Sequence, residues 1–274
     1  MIAELCIATA LRHNKTVLKN CYCTPPFKVL DITEDRREET LHLMLMNASP
    51  GVLDGDVYNM QICIEAGCAL HLHTQSYQRL FQMKGSASQR LQLQMAGGSS
   101  FYYLPHPSVP HATSNFSALT EIHLLKNCTL IWGEVLTCGR KGSGEQFSFS
   151  KYHSRTEIFL NGQLILKENL LLQPSLFDVK GLGQLEGYTH QASFIYLNEA
   201  VSIKEITDKL HEMLLLQKDI CFGITSLHAN GLVIRLLGYK GEHLHGLLKK
   251  IANELTHSLM MQKNATIKNL SYAN

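Results

Sequence analysis

With 274 residues, 45% of them apolar, the chain has ample material for a buried core, enough for one large domain or two small ones. Its 25 basic and 23 acidic residues leave a net charge of +2, which excludes the basic footprint of a nucleic-acid binder and gives no attraction to an acidic membrane surface. No run approaches the roughly 18 to 20 apolar residues that a membrane-crossing helix needs, so a membrane span is not expected.

The opening "MIAELCIATALRHNK" is apolar, but Glu4 interrupts it, and it has neither a basic leader nor a small-residue cleavage site. It is read as a first strand rather than an export signal, which places the protein in the cytoplasm. There the eight cysteines are expected as thiols, packing residues or metal ligands, not disulfides. The mixed-sign run "DITEDRREET" reads as a solvated loop. From the start to about residue 200, apolar residues alternate or form short runs, as in "VYNMQICIEAGCALHLHTQS", "RLQLQMAGGSSFYYL" and "ALTEIHLLKNCTLIWGEVL". These are the marks of successive strands. Turns are expected at Glu65 to Gly67, Ala96 to Ser100 and Lys126 to Cys128. Asn161-Gly162, between "RTEIFL" and "QLILKE", is the strongest hairpin signal, because both residues tolerate the positive φ of a type I′ turn.

Two segments then change period. In "SIKEITDKLHEMLLLQKD", Ile203, Ile206, Leu210, Met213 and Leu214 recur at helical spacing behind a Ser202/Glu205 capping box. In "GEHLHGLLKKIANELTHSLMMQ", the stripe is Leu244, Leu247, Leu248, Ile251, Leu255 and Leu259. A strand pair turning at Asn230-Gly231 lies between them, and the polar tail "KNATIKNLSYAN" is expected to fray. The expected architecture is mainly β in a single domain over 1–274, mostly strands to about 200, with helices at about 202–220 and 241–262.

Catalytic motifs are missing. "HEMLL" at His211 is half of a zinc-protease motif, with Leu215 where the second histidine belongs. "GLGQLEG" misplaces the glycines of a dinucleotide loop, and "GRKGSGE" does not satisfy the phosphate-loop pattern. Asp54 or Asp56 with Glu134 could form the acidic pair of a carbohydrate-active β-solenoid enzyme, an alternative weakened by the lack of an export signal. The fourteen histidines raise a second alternative, a histidine-based metal binder. In "CIEAGCALHLH", strand alternation puts His71 and His73 on one face and turns Cys68, Leu70 and Leu72 to the other. The cysteines are therefore expected to pack, and the two histidines to chelate only with each other's help.

Several stretches, taken in order, resemble the urease accessory proteins called UreD, or UreH in some bacteria, and most closely the epsilon-proteobacterial UreH type. They are "TPPFKVL", "SPGVLDGD", "HTQSYQRLF", "YLPHPSVPHATS", "GEVLTCGRKGSGEQFSF", "SRTEIFLNGQLILKENLLLQP" and "GLVIRLLG", collinear over nearly the whole chain. "SPGVLDGD" departs from the family's more glycine-rich pattern at that place. The resemblance implies a β-helical, solenoid-like stack of sheets with two helices and a non-enzymatic role. It implies direct binding of UreF, recruitment of the GTPase UreG through UreF, docking on apo-urease, and a dimer of heterodimers held through UreF. No cofactor is expected to be tightly bound; Ni²⁺ is expected in transit. By position in the matching motifs, Asp56 and Glu134 are the leading candidates for that route, with Asp54, Ser76, Arg140, Glu145, His71 and His73 behind them. Oxygen ligands suit a passing hydrated cation, since a full set of imidazoles or thiolates would trap it. The competing expectation is that Asp56 only bonds turn amides and that Glu134 pairs with Arg140.

Overall fold

The computed structural model describes residues 1–271 except Arg36 and Ser202, with side chains in the last helix described as far as Thr256. The first strands are β1 (Ile2–Arg12), β2 (Lys15–Cys23), β3 (Phe27–Asp31), β4 (Thr40–Asn47), β5 (Val57–Ile64) and β6 (Ala69–Thr74). They are followed by β7 (Gln78–Leu80), β8 (Ala87–Met95), β9 (Ser100–Tyr103), β10 (Ser108–Pro110), β11 (Asn115–Leu124) and β12 (Thr129–Leu136). The chain closes with β13 (Lys151–Leu160), β14 (Gln163–Leu172), β15 (His190–Asn198), α1 (Ile203–Leu215), β16 (Ile220–Leu227), β17 (Gly231–Gly238) and α2 (Gly241–Ser271).

These strands form two mixed sheets. The first runs β14-β13-β11-β8-β5-β1-β2, and the second β16-β17-β15-β12-β9-β6-β4-β3, with β7 and β10 attached at its side. From β4 to β13 the long strands alternate between the sheets, and each return lies parallel to the preceding strand of its own sheet. Antiparallel pairs finish the edges: β1/β2 and β13/β14 in the first sheet, β3/β4 and β12/β15/β17/β16 in the second.

The three turns expected after β5, β8 and β11 are thus corners between sheets rather than hairpins. They stack: Gly67 N–H donates to Gly97 O, and Gly98 N–H donates to Lys126 O. Each corner needs one left-handed residue, supplied by Gly67 (φ 71°), Gly98 (φ 71°) and Asn127 (φ 61°). The Asn161-Gly162 turn is a true hairpin, with φ of 50° and 83° joining antiparallel β13 and β14. At the second expected hairpin, Gly231 already pairs with Leu227. It is glycine for space, since a Cβ there would sit 2.3 Å from Leu197 Cδ2.

Period-two alternation explains the packing. Leu43, Leu72, Phe101, Leu130 and Trp132 of the second sheet meet Leu5, Ile62, Leu93 and Ile122 of the first in one core. On the second sheet's other face, Ile131, Val135, Phe194, Tyr196 and Ile234 receive the apolar stripes of both helices: Ile206, Leu210 and Leu214 of α1, and Leu244, Leu247, Leu248, Ile251 and Leu255 of α2. Gly133 permits this approach, because a Cβ would lie 2.5 Å from Leu104 Cδ2 and 2.9 Å from Leu248 Cδ1.

Both helix ends differ from expectation. α1 stops at Leu215, five residues early, where Gln217 N–H donates to Leu214 O and the chain turns through Asp219 (φ 61°) into β16. α2 continues to Ser271 rather than 262, taking in much of the tail expected to fray; no glycine or proline after Gly246 interrupts it. The Ser202 cap and the Leu259 side chain lie outside the described residues. All eight cysteines are free thiols, with Cys68, Cys128 and Cys138 buried.

Candidate functional site

At one end of the inter-sheet space a cavity of about 140 Å³ interrupts the apolar core. Its wall is amphipathic: Phe27 and Trp132 beside the oxygen and amide groups of Tyr58, Gln78, Gln89, Ser108, Glu134 and Ser154. Ser76 and Tyr77, from the loop between β6 and β7, also line it.

Glu134 enters this space because β12 alternates. Leu130, Trp132 and Leu136 occupy the inward positions, Ile131 and Val135 the outward ones, and Glu134 falls in the inward series. Its carboxylate accepts from Ser154 Oγ at 3.0 Å and Thr156 Oγ1 at 3.5 Å, both on β13 of the facing sheet. Among the described residues no cation forms an ion pair with it, so the expected Arg140 partner is replaced by two hydroxyls. Removal from bulk water pushes its pKa up, the Ser154 bond opposes that, and the Glu168 carboxylate adds to it. The Trp132 indole N–H makes no hydrogen bond of normal geometry, although it lies near enough to favour the charged form. The residual exposure of Glu134 is consistent with its place in the cavity wall. Burial raises the phenol pKa of Tyr103 and Tyr152 in the same wall, keeping both as neutral donors.

Asp56 is buried but outside the cavity wall. Its Oδ2 accepts from Leu53 N–H at 2.8 Å and from Tyr58 Oη at 3.2 Å, and its Oδ1 lies 3.1 Å from the Met1 ammonium nitrogen. Asp56 thus performs the turn-bonding role and touches the cavity only through Tyr58, whose pKa burial pushes up to about 12. Asp54 accepts from Lys84 and Gly85 N–H at 3.2 and 3.0 Å in an exposed turn. Arg140 and Glu145 pair with each other in the loop after β12, away from Glu134, and the guanidinium holds the Glu145 carboxyl below its ordinary range.

His71 and His73 emerge on the outer face of the second sheet, as alternation requires, while Cys68, Leu70 and Leu72 are buried. A third imidazole joins them, His42 of β4, whose Nδ1 lies 3.1 Å from His73 Nε2. His42 pairs in register with His71 across parallel β4 and β6, a long-range alignment invisible in the sequence. Sequence reasoning also passed over Glu168 of β14. It accepts from Ser193 Oγ at 2.7 Å and pairs with Arg235 at 2.9 Å, carrying the polar seam beyond Glu134 toward exposed Arg235. Both glutamates had a readable signal, an acidic residue in the apolar slot of an alternating strand: Glu134 between Trp132 and Leu136, Glu168 between Leu166 and Leu170. Among the described residues, no helix is long and apolar enough to cross a membrane.

A family model described as UreD urease accessory protein matches residues 1–270. The urease accessory protein UreD of Flavobacterium johnsoniae is 44% identical over 256 residues, covering 93% of this chain and 92% of its own length. That of Acetivibrio thermocellus is 37% identical over 254 residues, with 92% and 97% covered. That of Haemophilus influenzae is 34% identical over 268 residues, with 93% and 99% covered. The chain belongs to the UreD family of urease accessory proteins and is a non-enzymatic component of urease maturation.

Proposed function

We propose that this chain is a cytoplasmic scaffold and nickel-delivery chaperone. It binds UreF directly, recruits the GTPase UreG through UreF, and passes Ni²⁺ to apo-urease, in a dimer of heterodimers held through UreF. Nickel is cargo here, bound transiently and not retained. The observation that carries the reading is Glu134, a carboxylate without a cationic partner among the described residues, set in the wall of a cavity between two sheets. Its neighbours are hydroxyls and amides, ligands that exchange readily and hold a borderline cation loosely. Ser76 near the loop edge, Glu134 within and Glu168 beyond it supply oxygen atoms along one seam. Asp56 supports the wall through Tyr58, and Asp54, Arg140 and Glu145 brace exposed loops. We read the chain as one domain and the alternation of strands between sheets as a β-helical coil, supported by the unbroken parallel register of β5, β8, β11 and β13.

Two measurements test this. Co-expression with UreF followed by size-exclusion chromatography is expected to give one joint peak; separate peaks would sink the scaffold role. Glu134→Ala is expected to lower the nickel content of co-expressed urease at least tenfold at limiting nickel while the joint peak persists. Full nickel loading would remove Glu134 from the route. Asp56→Ala is expected to act through stability instead, lowering it by about 1–3 kcal/mol through the stranded Leu53 amide and Tyr58 hydroxyl.

A further inference from the structure

We propose that His42, His71 and His73 form a three-imidazole site for one borderline divalent transition-metal ion, on the outer face of the second sheet and separate from the inter-sheet cavity. The three residues each offer a ring nitrogen, and these atoms all lie within 4.8 Å of one another. Two nitrogens held ~2.0–2.1 Å from one ion lie roughly 2.9–3.4 Å apart for octahedral or tetrahedral angles. The 3.1 Å between His42 Nδ1 and His73 Nε2 falls in that interval. His71 stacks on His73 with ring centroids 3.6 Å apart, which brings the third ring nitrogen into the same set.

The surroundings orient the rings. Glu38 Oε2 lies 3.6 Å from His42 Nε2, which favours a proton there and leaves the Nδ1 lone pair facing His73. Tyr102 packs on His71 at 3.8 Å between centroids and restrains that ring. The rings are only partly buried, so an ion has access from solvent. Imidazole donors without carboxylate in the inner set select Ni²⁺, Cu²⁺ or Zn²⁺ over Mg²⁺ or Ca²⁺. Lys249 of α2 opposes the site, since its charge acts on both His71 and His73.

The site does not depend on the route proposed for the cavity. It sits beside it, however: Thr74 follows His73 in β6, lines the cavity and bonds His106 Nδ1 at 2.8 Å.

Isothermal titration of the full untagged chain with NiCl₂ and with ZnCl₂ tests the site. One ion per chain is expected, with no response to MgCl₂. His42→Asn and His73→Asn are each expected to weaken binding at least tenfold, and the double variant to abolish it. Lys249→Gln keeps all three ligands and is expected to tighten binding severalfold. X-ray absorption of the one-to-one nickel complex is expected to show the scattering of three imidazoles. Failure of the native chain to bind either ion stoichiometrically, or binding of undiminished affinity in a double variant with a native circular dichroism spectrum, would overturn the proposal.

Discussion

The second sheet carries different chemistry on its two faces. Inward, β12 presents Glu134 to the hydroxyls of Ser154 and Thr156, beside a cavity whose wall mixes hydroxyl and amide groups with Phe27 and Trp132. Outward, β4 and β6 present His42, His71 and His73, with nitrogen ligands only. One residue of offset along a strand exchanges these faces. The carboxylate and the three imidazoles, on strands separated by β9, therefore face opposite sides of one sheet and cannot meet at one ion. The faces also differ in how they are held. The inward face closes on another sheet and leaves a void, whereas much of the outward face is sealed by α1 and α2.

That difference can be broken at graded cost. Leu248→Ala removes a fully buried side chain from the helix-covered face and is expected to destabilise the chain by about 2–5 kcal/mol in urea denaturation. A much smaller loss there would mean that α2 is dispensable to the second sheet.

Acid should act next, through the same outward face. Burial pushes His190, on β15 beneath the start of α2, down to about 4 from its ordinary 6.5, and Lys141 adds to the shift. The unfolded chain then takes up a proton that the folded chain refuses. The contribution of His190 is therefore present above about pH 6.5 and is lost as pH falls toward 4, by less than the limit of ~1.4 kcal/mol per pH unit for one group. Thermal melts between pH 7 and 5 are expected to fall less steeply for His190→Asn than for the native chain. Parallel slopes would assign the acid sensitivity to other buried histidines.

The smallest effect on stability is expected at the inward carboxylate. The raised pKa of Glu134 means that the fold disfavours its charged form, so the destabilisation appears as pH rises through the ordinary carboxylate range. Glu134→Gln is thus expected to change stability at neutral pH by no more than about 1 kcal/mol, in the stabilising direction. A large loss on denaturation would recast Glu134 as a structural bridge between the sheets rather than a group held for function.

Much of this was legible in the chain. Alternation placed His71 and His73 opposite Leu70 and Leu72, helical spacing gave the stripes of α1 and α2, and Asn161-Gly162 fixed a hairpin. The corners at Gly67, Gly98 and Asn127 were legible as turns but not as passages between sheets, because a left-handed residue reverses the chain without saying which strand it will meet. Asp56 and Glu134 looked alike as acidic candidates. Their neighbours separated them: Asp56 is taken up by the amide of Leu53 and the hydroxyl of Tyr58, and Glu134 accepts from two hydroxyls on a strand about twenty residues onward.

By itself the sequence determined what depends on local period: strand faces, helix stripes, turn positions and, through collinear motifs, membership of the UreD family. Only the tertiary structure decided what depends on register between distant strands. The void around Glu134 exists because two sheets meet there with polar side chains on both faces. The third histidine reaches His71 because parallel β4 and β6 align His42 with it across 29 residues of chain. Periodicity acts within a strand, while ligand sets are assembled between strands, and no local pattern encodes that alignment.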